Sequence, residues 1–118
     1  MNRISPVPHP RVFGSFPRVL GKYVREEKAL TLESAIRKMT SKPAEVFGFK
    51  RRGLLEPGNF ADVVVFNPDT VIDKGTFVDP IQFPVGIEDV LINGHVVLHS
   101  GSYERTPAGK VLRRPCIQ

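Results

Sequence analysis

Apolar residues recur at helical spacing in the first half of the chain and at strand spacing in the second. In "LTLESAIRKM" (30–39), Leu32, Ala35, Ile36 and Met39 fall at i, i+3, i+4 and i+7, one face of a helix. Thr31 stands where an N-cap belongs. An earlier stripe of Phe16, Val19, Leu20, Tyr23 and Val24 predicts a helix starting at Phe16-Pro17, with Ser15 as its cap and proline in the first turn. Gly21 costs that helix about 1 kcal/mol relative to alanine, which leads us to expect close packing there. Lys42-Pro43 interrupts the next helix, and a short one over Pro43 to Phe47 follows, closed by Gly48. Both stripes read as core.

After Gly53 the period changes. "LEPGN" (55–59) is a turn, with Pro57-Gly58 set for type II geometry. "ADVVVF" (61–66) is apolar on both faces and predicts a strand covered on both sides. Residues 67–86, rich in proline and glycine, read as loop. "VLINGHVVL" (90–98) is a hairpin, because Asn93-Gly94 is the type I′ dipeptide. That register pairs Ile92 with His95, Leu91 with Val96 and Val90 with Val97. A last short strand is expected at Lys110–Arg113. Helices first and strands second make an α+β chain.

Composition narrows the class without naming a function. A chain of 118 residues is one domain by length. No run approaches the roughly 20 apolar residues of a membrane span, so no membrane association is expected. The first residues show no apolar core of a secretory signal, and Cys116 stands alone, ruling out an internal disulfide; both fit the cytoplasm. Seventeen Lys+Arg against twelve Asp+Glu leave a net charge of +5. The basic residues are dispersed, densest at Lys50-Arg51-Arg52 and Arg113-Arg114, and lack the aromatic interleaving of a nucleic-acid surface. They read as solvated loops, and no nucleic acid is expected as a partner.

Catalytic spacing is missing too. His95 and His99 would share a zinc ion on a helix, but on a strand they lie about 13 Å apart. They read as surface histidines. His9 has no second or third ligand nearby, and the carboxylates form no acid–base pair. The residues supply no catalytic group, no metal site and no cofactor site. Arg11, in the Pro- and Gly-rich stretch 9–21, reads from its surroundings as an ion pair or a solvated side chain.

Longer stretches resemble a known family. "GLLEPGNFADVVVF" and "VLINGHVVLHSG" are similar to the C-terminal signature of the amidohydrolase superfamily. "HPRVFGSFPRVLGKYVRE" and "LTLESAIRKMTSKPAEVFGF" resemble the N-acyl-D-amino-acid deacylases (D-aminoacylases), and the resemblance covers about residues 8 to 114. It implies that residues 1–50 are helices from the end of a (β/α)8 barrel and that 51–118 belong to a small β-domain. It also implies a zinc-dependent hydrolase of N-acyl-D-amino acids, whose metal ligands and catalytic aspartate lie upstream of anything in this chain. By the same resemblance Arg11 matches an arginine that binds the substrate carboxylate, and His9 supports its loop. The isolated chain is then expected to be inactive, with a missing barrel chain or a second copy as its partner. Two other readings compete: a non-catalytic binding or oligomerisation module, and a polyanion binder suggested only by the charge.

Overall fold

A computed structural model describes residues 7–113. Cys116 and Arg114 lie outside them. The elements run α1 (Arg11–Arg18), a π-helical continuation (Val19–Glu26), α2 (Leu32–Met39), α3 (Ser41–Phe47), then β1 (Val63–Phe66), β2 (Ile87–Ile92), β3 (His95–His99) and β4 (Ser102–Tyr103). The α+β reading holds for this order.

The first helix begins five residues earlier than the apolar stripe predicts. Pro10, at φ −56°, starts it, so Ser15 is interior and its hydroxyl donates to the Arg11 carbonyl at 2.7 Å instead of capping. Pro17 also falls inside the helix. It has no N–H to offer the preceding turn, and the wider π ladder follows directly, with the Glu27 N–H reaching the Lys22 carbonyl at 2.8 Å. Phe16 is exposed, so the buried part of the stripe is Leu20 flanked by Val19 and Val24. Thr31 caps α2 as expected, its hydroxyl oxygen accepting the Ser34 N–H at 3.2 Å. The α2–α3 break lies at Thr40, and α3 ends on Gly48 in the left-handed region.

One core joins the two halves. Leu20, Ala35 and Val71 are buried, and Leu30, Leu32, Ile36, Met39, Phe66 and Ile87 pack around them. The helical stripe of α2 thus meets the sheet through Val71, which lies in the loop before β2.

The sheet is antiparallel with order β1-β2-β3-β4. Asn93 (φ 50°) and Gly94 (φ 81°) form the predicted turn. Ile92 pairs with His95 and Leu91 with Val96, but Val90 pairs with Leu98, because a bulge inserts Val97. That extra residue is buried, which accounts for the bulge. β1 departs from expectation: it lies at the edge of the sheet, and Val64 and Val65 are exposed rather than covered. Residues 110–113 form no strand; β4 lies earlier, after a tight turn at Ser100-Gly101 (φ 47° and 80°).

Candidate functional site

A cavity of about 350 Å³ opens where the start of α1 faces the loop carrying Asp73 to Phe77. Its floor follows from a local choice at His9. The imidazole Nδ1 accepts the Arg11 backbone N–H at 3.1 Å, satisfying a donor that the first helical turn leaves over. That bond leaves the ring proton on Nε2. The ring also meets Phe77 edge-on, with 5.0 Å between centroids.

Beyond His9, one helix face supplies the wall. Arg11, Gly14, Ser15 and Arg18 stand at i, i+3, i+4 and i+7, and all four border the cavity. Asp73, Gly75, Thr76 and Phe77 form the opposite wall. The walls press together at glycines. A Cβ on Gly14 would lie 2.6 Å from the Asp73 Cβ, and one on Gly75 would lie 3.3 Å from the Pro10 Cβ.

The two arginines of that face differ in their partners. Arg18 Nη1 donates to Asp73 Oδ2 at 3.1 Å, and the Asp73 side chain is only 9% exposed. The hydrogen bond to Asp73, then the charge of Asp73, raise the Arg18 guanidinium above its ordinary pKa. No carboxylate of the described residues lies within ion-pair distance of Arg11, which is exposed. The structure therefore brings His9 and Arg11 together at one cavity and adds Arg18 and Asp73, which sequence reasoning passed over. Arg18 was within reach of the i, i+7 count already applied to the apolar residues. Asp73 is 55 positions away from its partner, and no local pattern marks it.

The other candidates separate. His95 lies at the hairpin turn opposite Ile92, while the His99 ring contacts the Asp89 carboxylate, Nδ1 to Oδ1 at 2.5 Å. Both histidines are exposed, as expected of surface histidines, and His99 is also partnered. No group of three or more His, Cys, Asp or Glu among the described residues is placed to hold a metal ion, so the residues present do not fit a zinc centre. No helix among the described residues is long and apolar enough to cross a membrane.

The basic cluster is also more engaged than its sequence suggests. Arg51 Nε donates to the Gly58 carbonyl at 2.7 Å. Arg52 pairs with Asp62, donates to Asn93 Oδ1 at 2.8 Å and lies 4.3 Å from the Phe60 ring centroid. Asn93 passes the contact on, its Nδ2 donating to the Ala108 carbonyl at 2.7 Å. Arg52 ties the hairpin turn to the chain before β1, whereas Arg51 stays exposed in its loop. A second, shallower groove of about 290 Å³ lies beside them, lined by Phe49, Lys50, Arg52, Phe60, Lys110 and Arg113 among others.

Comparison with known proteins assigns the chain. The amidohydrolase family profile matches residues 4–98. An N-acyl-D-glutamate deacylase of Alcaligenes xylosoxydans xylosoxydans is 53% identical over 107 residues, covering 91% of this chain and 22% of that protein. A D-aminoacylase of the same organism is 47% identical, with the same coverage. Among solved structures, an N-acyl-D-glutamate deacylase from Bordetella bronchiseptica, complexed with zinc and a phosphonate inhibitor, is 59% identical. It matches 76% of this chain and 19% of its own, with a TM-score of 0.76. A D-aminoacylase with a binuclear metal centre matches 91% of this chain and 23% of its own at 47% identity and a TM-score of 0.88. The chain thus spans about a fifth of the length of these relatives. Profile, identity and backbone agree: the chain belongs to the amidohydrolase family.

Proposed function

We propose that the chain is the C-terminal segment of a metal-dependent N-acyl-D-amino-acid deacylase, and that Arg11 anchors the carboxylate of the substrate's amino-acid part. One observation carries this reading: Arg11 borders the cavity and has no carboxylate partner among the described residues, while Arg18 on the same face is already paired. A guanidinium meets a carboxylate through two parallel N–H···O bonds, each worth about 1.5–3 kcal/mol when charge-assisted. His9 positions the anchor by holding the Arg11 N–H. In this reading residues 1–50 close a (β/α)8 barrel and residues 51–118 form part of the small β-domain.

Amide hydrolysis needs a group that polarises the carbonyl and another that moves a proton. In a complete enzyme a metal ion held by other residues would supply the first. This chain binds and orients, and by itself does not hydrolyse. Incubation of the chain with zinc and N-acetyl-D-glutamate is expected to release no amino acid above the buffer rate; turnover would overturn this. Butyrate, a minimal carboxylate probe, is expected to shift the amide resonances of Arg11 and Gly14. Arg11→Gln should weaken that binding about tenfold or more, and undiminished binding would remove the anchor.

Exposed apolar side chains favour a second reading, a binding or oligomerisation module. Phe77 is 77% exposed, Val78 94% and Phe83 84%. Such a surface calls for a barrel chain or a second copy to cover it. Size-exclusion chromatography across a concentration series is expected to show self-association of the isolated chain; a monomer at every concentration would dismiss the second copy.

A further inference from the structure

The face of α1 carries two guanidiniums into one cavity, and only one is left for a ligand. Arg18 and Arg11 are seven residues apart, about 10 Å along the axis at about 1.5 Å per residue, close enough for two long side chains to converge on one small molecule. Asp73 prevents this. Its side chain is nearly buried and receives Arg18 Nη1 at 3.1 Å, and its Cβ is pressed against Gly14, where a larger residue would push it away. The geometry points to Asp73 as a specificity-determining residue: by neutralising Arg18, it keeps the cavity at one uncompensated positive charge and so suits it to one carboxylate rather than two.

This rests on the reading of Arg11 as the anchor and extends it to the ligand's charge. A second carboxylate on a ligand gains nothing from Arg18 while Asp73 holds that guanidinium. The rest of the wall carries no other lysine or arginine for a dicarboxylate.

The test compares butyrate with glutarate, probes of similar length bearing one and two carboxylates, by NMR titration of the 118-residue chain at low ionic strength. The unaltered chain should bind the two within about twofold, the statistical advantage of two equivalent ends. In Asp73→Asn, which keeps the side-chain shape but frees Arg18, the preference for glutarate should rise about tenfold, the worth of one charge-assisted contact. Adding Arg18→Gln to that variant should abolish the gain. An unchanged glutarate-to-butyrate ratio in folded Asp73→Asn overturns the proposal. Should circular dichroism show that Asp73→Asn does not fold, Arg18→Gln alone decides. It leaves the Asp73 charge facing the cavity and should weaken glutarate several-fold more than butyrate; equal affinities overturn the idea. Arg11→Gln in the unaltered background separates the two claims. Retained butyrate binding there rejects the anchor, whereas the ratio in Asp73→Asn reports on Asp73 alone.

Discussion

A methyl group at position 21 would lie 2.4 Å from both the Val71 carbonyl oxygen and the Ile72 Cδ1. Helix propensity favours alanine over glycine by about 1 kcal/mol, yet backbone cannot retreat from a contact that short. Gly21→Ala is therefore expected to destabilise the chain by about 1–3 kcal/mol, read as a lowered urea midpoint. A neutral or stabilised variant would show that the π segment can move off the 71–72 loop. The Arg18–Asp73 pair makes a different kind of prediction. Arg18 is a basic group raised by its partner. Its contribution to stability is fully present below its ordinary pKa and is lost only as pH climbs past the raised one. Its ionisation adds no pH dependence near neutrality, so the stability difference between the unaltered chain and Arg18→Gln should be flat between pH 6 and 8 in thermal melts.

At the scale of elements, short-range bonds set where each helix begins. The Arg11 N–H ends on an imidazole rather than a hydroxyl. His9→Ala should cost about 0.5–1.5 kcal/mol, and His9→Asn, whose amide oxygen can take the same N–H, should restore most of it. Equal losses in both variants would mean that the Phe77 contact, not the hydrogen bond, is what matters. Thr31→Ala removes the α2 cap and should cost about 1 kcal/mol in the same denaturation assay. In the sheet, the hairpin turn is held from outside by Arg52 and Asp62, with the Asn93 N–H donating to Asp62 Oδ1 at 2.9 Å. The turn is thus built from local chemistry and then fastened by distant residues.

Across the whole molecule, the buried apolar residues among those described are few and small: Leu20, Ala35, Ala44, Val71 and Val97. Large apolar side chains such as Phe16, Phe77 and Phe83 stay exposed. Burial contributes roughly 25 cal/mol per Å², so a chain with so much of its apolar surface in water has reason to associate. This exposed apolar surface supports the association proposed above.

Local rules were enough for α2, its Thr31 cap, the Gly48 stop and the Asn93-Gly94 hairpin, because each depends on residues within a turn or two of one another. The same rules placed the first helix too late, since Pro10 and His9 start it without the usual hydroxyl cap. They also misjudged β1, because apolarity on both faces reports what a strand is suited to touch, not what this chain supplies. The stretches 9–26 and 30–49, with the two β-rich stretches, carried the family resemblance, and through it Arg11 stood out, while the cavity around it belongs to the tertiary structure alone. Asp73 reaches Arg18 from 55 residues away, and Arg52 reaches Asn93 from 41. Pairings at that separation leave no periodic trace in the sequence; the first spans the two halves that Leu20, Ala35 and Val71 join in one core, and the second lies within the β-rich half.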